Sequence, residues 1–294
     1  MTSFSNFLKK IFASNNGKEE TEIEQIVRCL TSYLPPVECI RLRPQAAENL
    51  SLFDSKLGGV PYLPKDAEYP MGKGKYAGKP LRLLAQLNLD TLPPIADLPT
   101  QGMLQFFCSS DQEDGMYGLD FDEGSAIKQD GFRVIYYSNI ITDEKQLTPA
   151  NEMPQIEGEE TFPLTENYLL KAEKRIETAS VSDYRFEPSI IKAIKDATGK
   201  EITSLSDLDA EHKDIIRKAF YFGKGTKIGG YPFFTQDDPR YNEAYSNHTF
   251  CLLQIDSEAT GIMWGDMGVG NFFIEPERLK KLDFSNVMYN WDCY

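Results

Sequence analysis

The chain is 294 residues long, and its 41% hydrophobic and 12% aromatic residues suffice for a sizeable core, so wholesale disorder is excluded. A formal net charge of −14 argues against direct binding of nucleic acid, whose phosphates are held by Lys and Arg, and suits a basic protein partner. Five scattered cysteines with no CxxC pair, only two histidines (His212 and His248) and no apolar run near the roughly 20 residues of a bilayer span point to a cytoplasmic protein with reduced thiols, no zinc, no membrane span and no cofactor.

In chain order, residues 1–12 place Phe4, Phe7, Leu8, Ile11 and Phe12 at helical spacing around Lys9 and Lys10, and a polar connector follows, so residues 1–20 read as an amphipathic segment and linker. Residues 21–34 predict a helix with Ile23, Ile26, Val27 and Leu30 on one stripe, stopped by Pro35-Pro36. Cys39-Ile40-Arg41-Leu42-Arg43 alternates as a half-buried strand does. Strands are expected at 81–89, 102–107 and 132–137, with the acidic stretch 111–123 as a hairpin or loop between the last two. Its carboxylates do not follow the order of a calcium loop. Residues 169–184 are charged, readable as an extended arm or a helix, and 188–198 and 207–220 are helical, the latter opened by Ser206 or Asp207. Further strands are expected at 250–256, 261–264 and 271–274, then a short helix over 276–282.

Lys227-Ile228-Gly229-Gly230-Tyr231-Pro232-Phe233-Phe234 echoes Lys56-Leu57-Gly58-Gly59-Val60-Pro61-Tyr62-Leu63. Leu83 to Asn88 then answers to Leu252 to Asp256, and Gly102-Met103-Leu104 to Gly261-Ile262-Met263. The pattern predicts an α+β fold of duplicated, largely antiparallel β-rich halves, about 40–145 and 221–294, with an N-terminal helix and a helical segment, about 169–220, inserted between them. Residues 21–294 form the domain.

Ser55-Lys56-Leu57-Gly58-Gly59 with Pro61 and Leu63-Pro64, the strand Leu84 to Leu89, the run Gly102 to Phe107, the stretch Lys227 to Pro239 and Trp264-Gly265-Asp266-Met267-Gly268 together resemble the YwqG-like family, bacterial proteins of unknown function. The resemblance runs from about Ile40 to the C-terminus. It implies a duplicated α+β fold and, by association, a role among immunity proteins that protect a bacterial cell from toxins. It carries no catalytic residues over.

Nucleophilic chemistry needs a base beside Ser or Cys, and His248 with Cys251, three apart on a strand, would face opposite ways. The Gly/Lys-rich stretches 72–79 and 223–230 lack the spacing and strand-to-helix setting of a phosphate-binding loop and read as ordinary loops. The strongest candidate site is Gln236, Asp237, Asp238, Arg240, Trp264, Asp266, Asn290, Trp291 and Asp292, since carboxylates in different environments can share acid and base roles and tryptophans beside acids build sugar or amine pockets. The competing structural reading makes Asp237-Asp238-Pro239-Arg240 a turn with an internal ion pair and the two tryptophans core anchors. Function is therefore expected to be non-catalytic binding of a basic partner, with an enzyme or small-ligand receptor at the Asp/Trp cluster as the alternative.

Overall fold

Thr21 opens the first described helix, α1 (Glu22–Tyr33), through a capping box: its hydroxyl accepts from the Glu24 N–H, and the Glu24 carboxylate accepts from the Thr21 N–H at 2.7 Å. In the computed structural model, which describes residues 21–110, 116–120, 122, 124–156, 162–210, 212–213, 216, 220 and 223–294, α1 buries Ile26, Val27 and Leu30. The expected amphipathic segment at 1–20 and much of the acidic stretch 111–123 lie outside the described residues. Among those described, no helix is long and apolar enough to cross a membrane.

Ten strands form one antiparallel sheet: β1 (Val37–Ala46), β2 (Lys56–Leu57), β3 (Arg82–Asn88), β4 (Met103–Cys108), β5 (Phe132–Tyr137), β6 (Tyr168–Glu177), β7 (Lys227–Gly229), β8 (Phe250–Asp256), β9 (Val269–Ile274) and β10 (Val287–Asp292). Their order is β10-β9-β8-β7-β1-β6-β2-β3-β4-β5. The mixed class with antiparallel pairing is thus as the sequence led us to expect. β1 and β6 pair along ten residues at the centre, from Val37 opposite Glu177 to Ala46 opposite Tyr168. Outward from them, β7 to β10 on one side and β2 to β5 on the other follow the same succession.

The two sides also repeat their polar bonds. Gln86 on β3 accepts from the Tyr62 N–H at 2.8 Å and donates to the carbonyls of Leu52 and Asp54; Gln254 on β8 accepts from the Phe233 N–H at 2.8 Å and donates to those of Gly223 and Gly225. Gln105 donates to the Tyr62 carbonyl, and Asn271 to that of Phe233. These buried amides satisfy backbone groups of the two Gly-Gly-Pro segments, which leave the ladders after two or three residues and cannot pair their own peptides. Gly58 (φ 69) and Gly229 (φ 71) take the left-handed conformation that this exit requires. Both preceding lysines are fully buried: Lys56 donates to the carbonyls of Ser51 and Val60, and Lys227 to Glu177 at 2.5 Å and to the Tyr231 carbonyl.

One apolar core joins both sides, because the sheet curls until β4 faces β9 and β5 approaches β10. Phe106 lies 4.9 Å from Phe272 and Phe132 5.0 Å from Tyr289, centre to centre. A smaller core joins α1 to α2 (Phe186–Thr198), which ends at Gly199 in the left-handed conformation, with Ile216, Phe220 and Tyr231 against them.

Four expectations are corrected. The segment 169–220 is not helical throughout, since β6 occupies its first part; residues 171–176 are exposed on both faces, so no alternation of apolar and polar residues marked them as a strand. The helix beyond it is opened by Asp209, which accepts from the His212 N–H at 2.9 Å, rather than by Ser206 or Asp207. Residues 261–264 form no strand; Ile262 makes an isolated bridge to Leu164, and β9 holds the place corresponding to β4. The helix expected over 276–282 is the shorter α3 (Pro276–Lys280).

Candidate functional site

Asp238 caps the turn Pro239–Tyr241, accepting from the Arg240 N–H at 3.0 Å, as the Asp-Asp-Pro-Arg sequence favours. The Arg240 side chain then folds back into the protein and is fully buried. Its Nε meets Asp238 Oδ1 at 2.9 Å, its Nη2 meets Asp238 Oδ2 at 2.6 Å and Asp183 Oδ2 at 3.1 Å, and the guanidinium lies 4.1 Å over the Phe273 ring. Arg185 closes the set with two 2.7 Å bonds to Asp183. Burial by itself would raise the Asp183 carboxyl, but hydrogen bonds from Arg185 and the charges of Arg240 and Arg185 hold it below the usual carboxylate range. Burial likewise opposes the Arg240 charge, and Asp238 and Asp183 overcome it. Two arginines and two aspartates thus neutralise one another, and Asp238 has no free geometry for proton transfer.

The other predicted residues fall in different places. Trp264 is fully buried in the main core, with Tyr117 edge-on at 5.5 Å and Trp291 at 6.2 Å; its N–H finds no partner among the described residues. Trp291, half-buried, donates to the Met116 carbonyl at 2.8 Å. Asp292, nearly buried, accepts from the N–H groups of Thr235 and Gln236, and Gln236 donates to the Cys293 carbonyl at 2.7 Å, so this pair clamps the C-terminal strand to the 235–236 loop. Burial raises the Asp292 carboxyl against those two N–H groups, which lower it. Asn290 sits half-buried on β10, while Asp237 and Asp266 are exposed. The fold therefore brings together Asp238 with Arg240, Trp264 with Trp291, and Gln236 with Asp292, but not the whole set. Asp183 and Arg185, partners of the first pair, were invisible in the sequence, lying more than fifty residues away in a stretch with no periodic signal.

His248 and Cys251 make no catalytic pair. Burial pushes the Cys251 thiol up to about 12 and the His248 imidazole down, and His248 Nε2 sits 3.2 Å from the Asn286 carbonyl. A histidine kept neutral by burial binds fewer protons folded than unfolded below its unfolded pKa of about 6.5. Its contribution to stability is therefore present above that pH and is lost as pH falls through it. Urea midpoints measured on either side of that pH should drop more on acidification for the wild type than for His248→Gln, and equal drops would exclude this assignment. Among the described residues, no three His, Cys, Asp or Glu side chains gather as metal ligands.

These features define a ten-stranded antiparallel α+β protein in which the charged groups of the interior hold loops and strands in place. The chain belongs to the family described as a domain of unknown function, DUF1963, which matches residues 55–293. No curated protein matches it.

Proposed function

We propose that this chain is a non-catalytic binding protein, a YwqG-like member of its family acting in the bacterial cytoplasm, whose acidic surface meets a basic protein partner in an immunity-type role. The observation that carries this reading is the use made of its reactive groups: Asp183, Asp238, Arg240, Asp292, His248 and Cys251 all serve packing or backbone satisfaction. What remains for recognition is surface, and the net charge of −14 makes that surface attractive to cations. We read the two sides of the sheet as copies of one ancestral unit, supported by the mirrored strand order and the matched Gln86/Gln254 and Gln105/Asn271 bonds. Capture of partners on the immobilised protein, washed at low and at high salt, should yield a basic protein retained only at low salt. Retention indifferent to salt would remove the electrostatic basis.

A second reading rests on the exposed Asp237 and Asp266 near Gln236 and the half-buried Trp291, where a small ligand could meet an aromatic wall. Asp266→Asn should then weaken whatever ligand is found there and leave stability unchanged, since its carboxylate holds no described bond while its carbonyl accepts from the Tyr294 N–H.

A further inference from the structure

The open edge of β5 faces the turn Phe284–Asn286 across a cleft of about 420 Å³, at the seam where the curled sheet nearly meets itself. Gln129 bridges the seam, donating to the Phe284 carbonyl at 2.7 Å and accepting from the Val134 N–H at 2.8 Å. That second bond fixes the polarity of the edge. In an antiparallel strand alternate residues turn both peptide groups the same way, so Tyr136, like Val134, directs its N–H away from β4 and into the cleft. No partner for that N–H is found among the described residues.

Three cations line the same space: Lys73, Lys128 and Arg133. Lys73 and Lys128 are exposed, and neither has an ion-pair partner among the described residues. Arg133 is held in position through Nη2, which donates to the carbonyls of Gln129 at 3.1 Å and Met71 at 3.3 Å, leaving Nη1 without a described bond. Burial disfavours the Arg133 charge, and Asp130 opposes that effect. No carboxylate is among the described residues that line the cleft, and Asp283 nearby is engaged by Arg278 at 2.6 Å, so three cations gather here on a protein whose overall charge is strongly negative. The remaining wall is apolar: Tyr136 and Phe284 lie 5.2 Å apart, beside the exposed Leu282.

An open strand edge that presents an unused N–H, next to cations and an aromatic pair, is a setting for an anion attached to an apolar group. We propose that this seam cleft binds a small organic anion, a phosphate monoester or a carboxylate, through Lys73, Lys128, Arg133 and the Tyr136 N–H, with the apolar part of the ligand on Tyr136 and Phe284. The site is independent of any macromolecular partner, and either can stand without the other.

Calorimetric titration of the full chain with phenyl phosphate, phenylacetate and inorganic phosphate tests it. Saturable one-to-one binding is expected for at least one of the two aromatic anions, and tighter than for inorganic phosphate; the stronger of the two identifies the anion class. Lys73→Glu with Lys128→Glu, two exposed changes that leave the core alone, should weaken that binding at least about tenfold, equivalent to ~1.4 kcal/mol. Lys145→Glu with Lys171→Glu, carrying the same charge change on other surfaces, should leave it within about twofold. Absence of saturable heat from all three compounds up to about 10 mM, or equal weakening by both double variants, would overturn the proposal.

Discussion

Arg240→Ala should lower the free energy of unfolding by roughly 3–5 kcal/mol at about pH 7, the usual cost of removing one member of a buried ion pair. The guanidinium is enclosed by Asp238, Asp183, the His248 carbonyl and the Phe273 face, so its removal strands carboxylates that water cannot reach. The cost should shrink in acid. In the wild type the Asp183 carboxyl is held below its unfolded value, so its contribution to stability is present above about pH 4 and is lost as pH falls through its lowered folded value. Without Arg240 that carboxyl is less depressed, and the variant has less to lose. Urea denaturation followed by tryptophan fluorescence at about pH 7 and about pH 3 should show the two proteins converging. Loss of under about 1 kcal/mol at neutral pH would mean that the network carries little of the fold.

The two buried lysines offer a sharper contrast, because they hold corresponding places with different partners. Lys227 faces Glu177, whose side chain is only 12% exposed, whereas Lys56 meets two carbonyls and no carboxylate within bonding distance. Lys227→Met should cost about 3 kcal/mol or more, since it strands Glu177, and Lys56→Met about 1–2 kcal/mol at neutral pH, since it strands only two carbonyls. Burial pulls the Lys56 ammonium down to about 8, with Asp54 opposing. Between that value and the ordinary 10.5, the folded protein carries fewer protons than the unfolded chain, so the Lys56 contribution to stability rises with pH across this window. Methionine has no such gain, and the cost of Lys56→Met should grow by up to about 3 kcal/mol on raising the pH from near 8 to near 10.5. The buried cysteines and tyrosines titrate alike in both proteins and cancel from the difference. A flat difference across that range would show that Lys56 is not desolvated.

How far the sequence revealed these features depended on whether the responsible signal was local. The strands at 132–137 and 250–256 are legible to the residue, because a run dominated by apolar and aromatic side chains, broken only by Arg133 in one and by Gln254 and Asp256 in the other, sits between polar turns. β6 offers no such signal: it lies at the centre of the sheet order, yet Lys171 to Ile176 are exposed on both faces, so nothing in their pattern marks a buried side. The Gly-Gly-Pro echo was legible as a local backbone requirement, and the left-handed glycines bear that requirement out. The burial of Lys56 and Lys227 within the same echo was not legible, because a lysine becomes a core residue only when distant carbonyls or acids come to it. Within the candidate site, Asp238 and Arg240 are two residues apart and their turn could be read, whereas Asp183 and Arg185 are joined to them only by folding. The seam cleft followed the same rule. Its Lys73 stands in a Gly/Lys-rich stretch, but Arg133, Tyr136 and Phe284 meet it only when the sheet curls.

The place of β1 and β6 has one more consequence. β1 pairs only with β6 and β7, and β6 only with β1 and β2, so each sits at the head of one run of strands in sequence while completing the other in space. Each run of strands thus lends its first strand to the ladder of the other. Cutting the chain between β5 and β6 would leave two fragments, each holding a strand without its ladder partners and a ladder without its strand, so that each is the template on which the other folds.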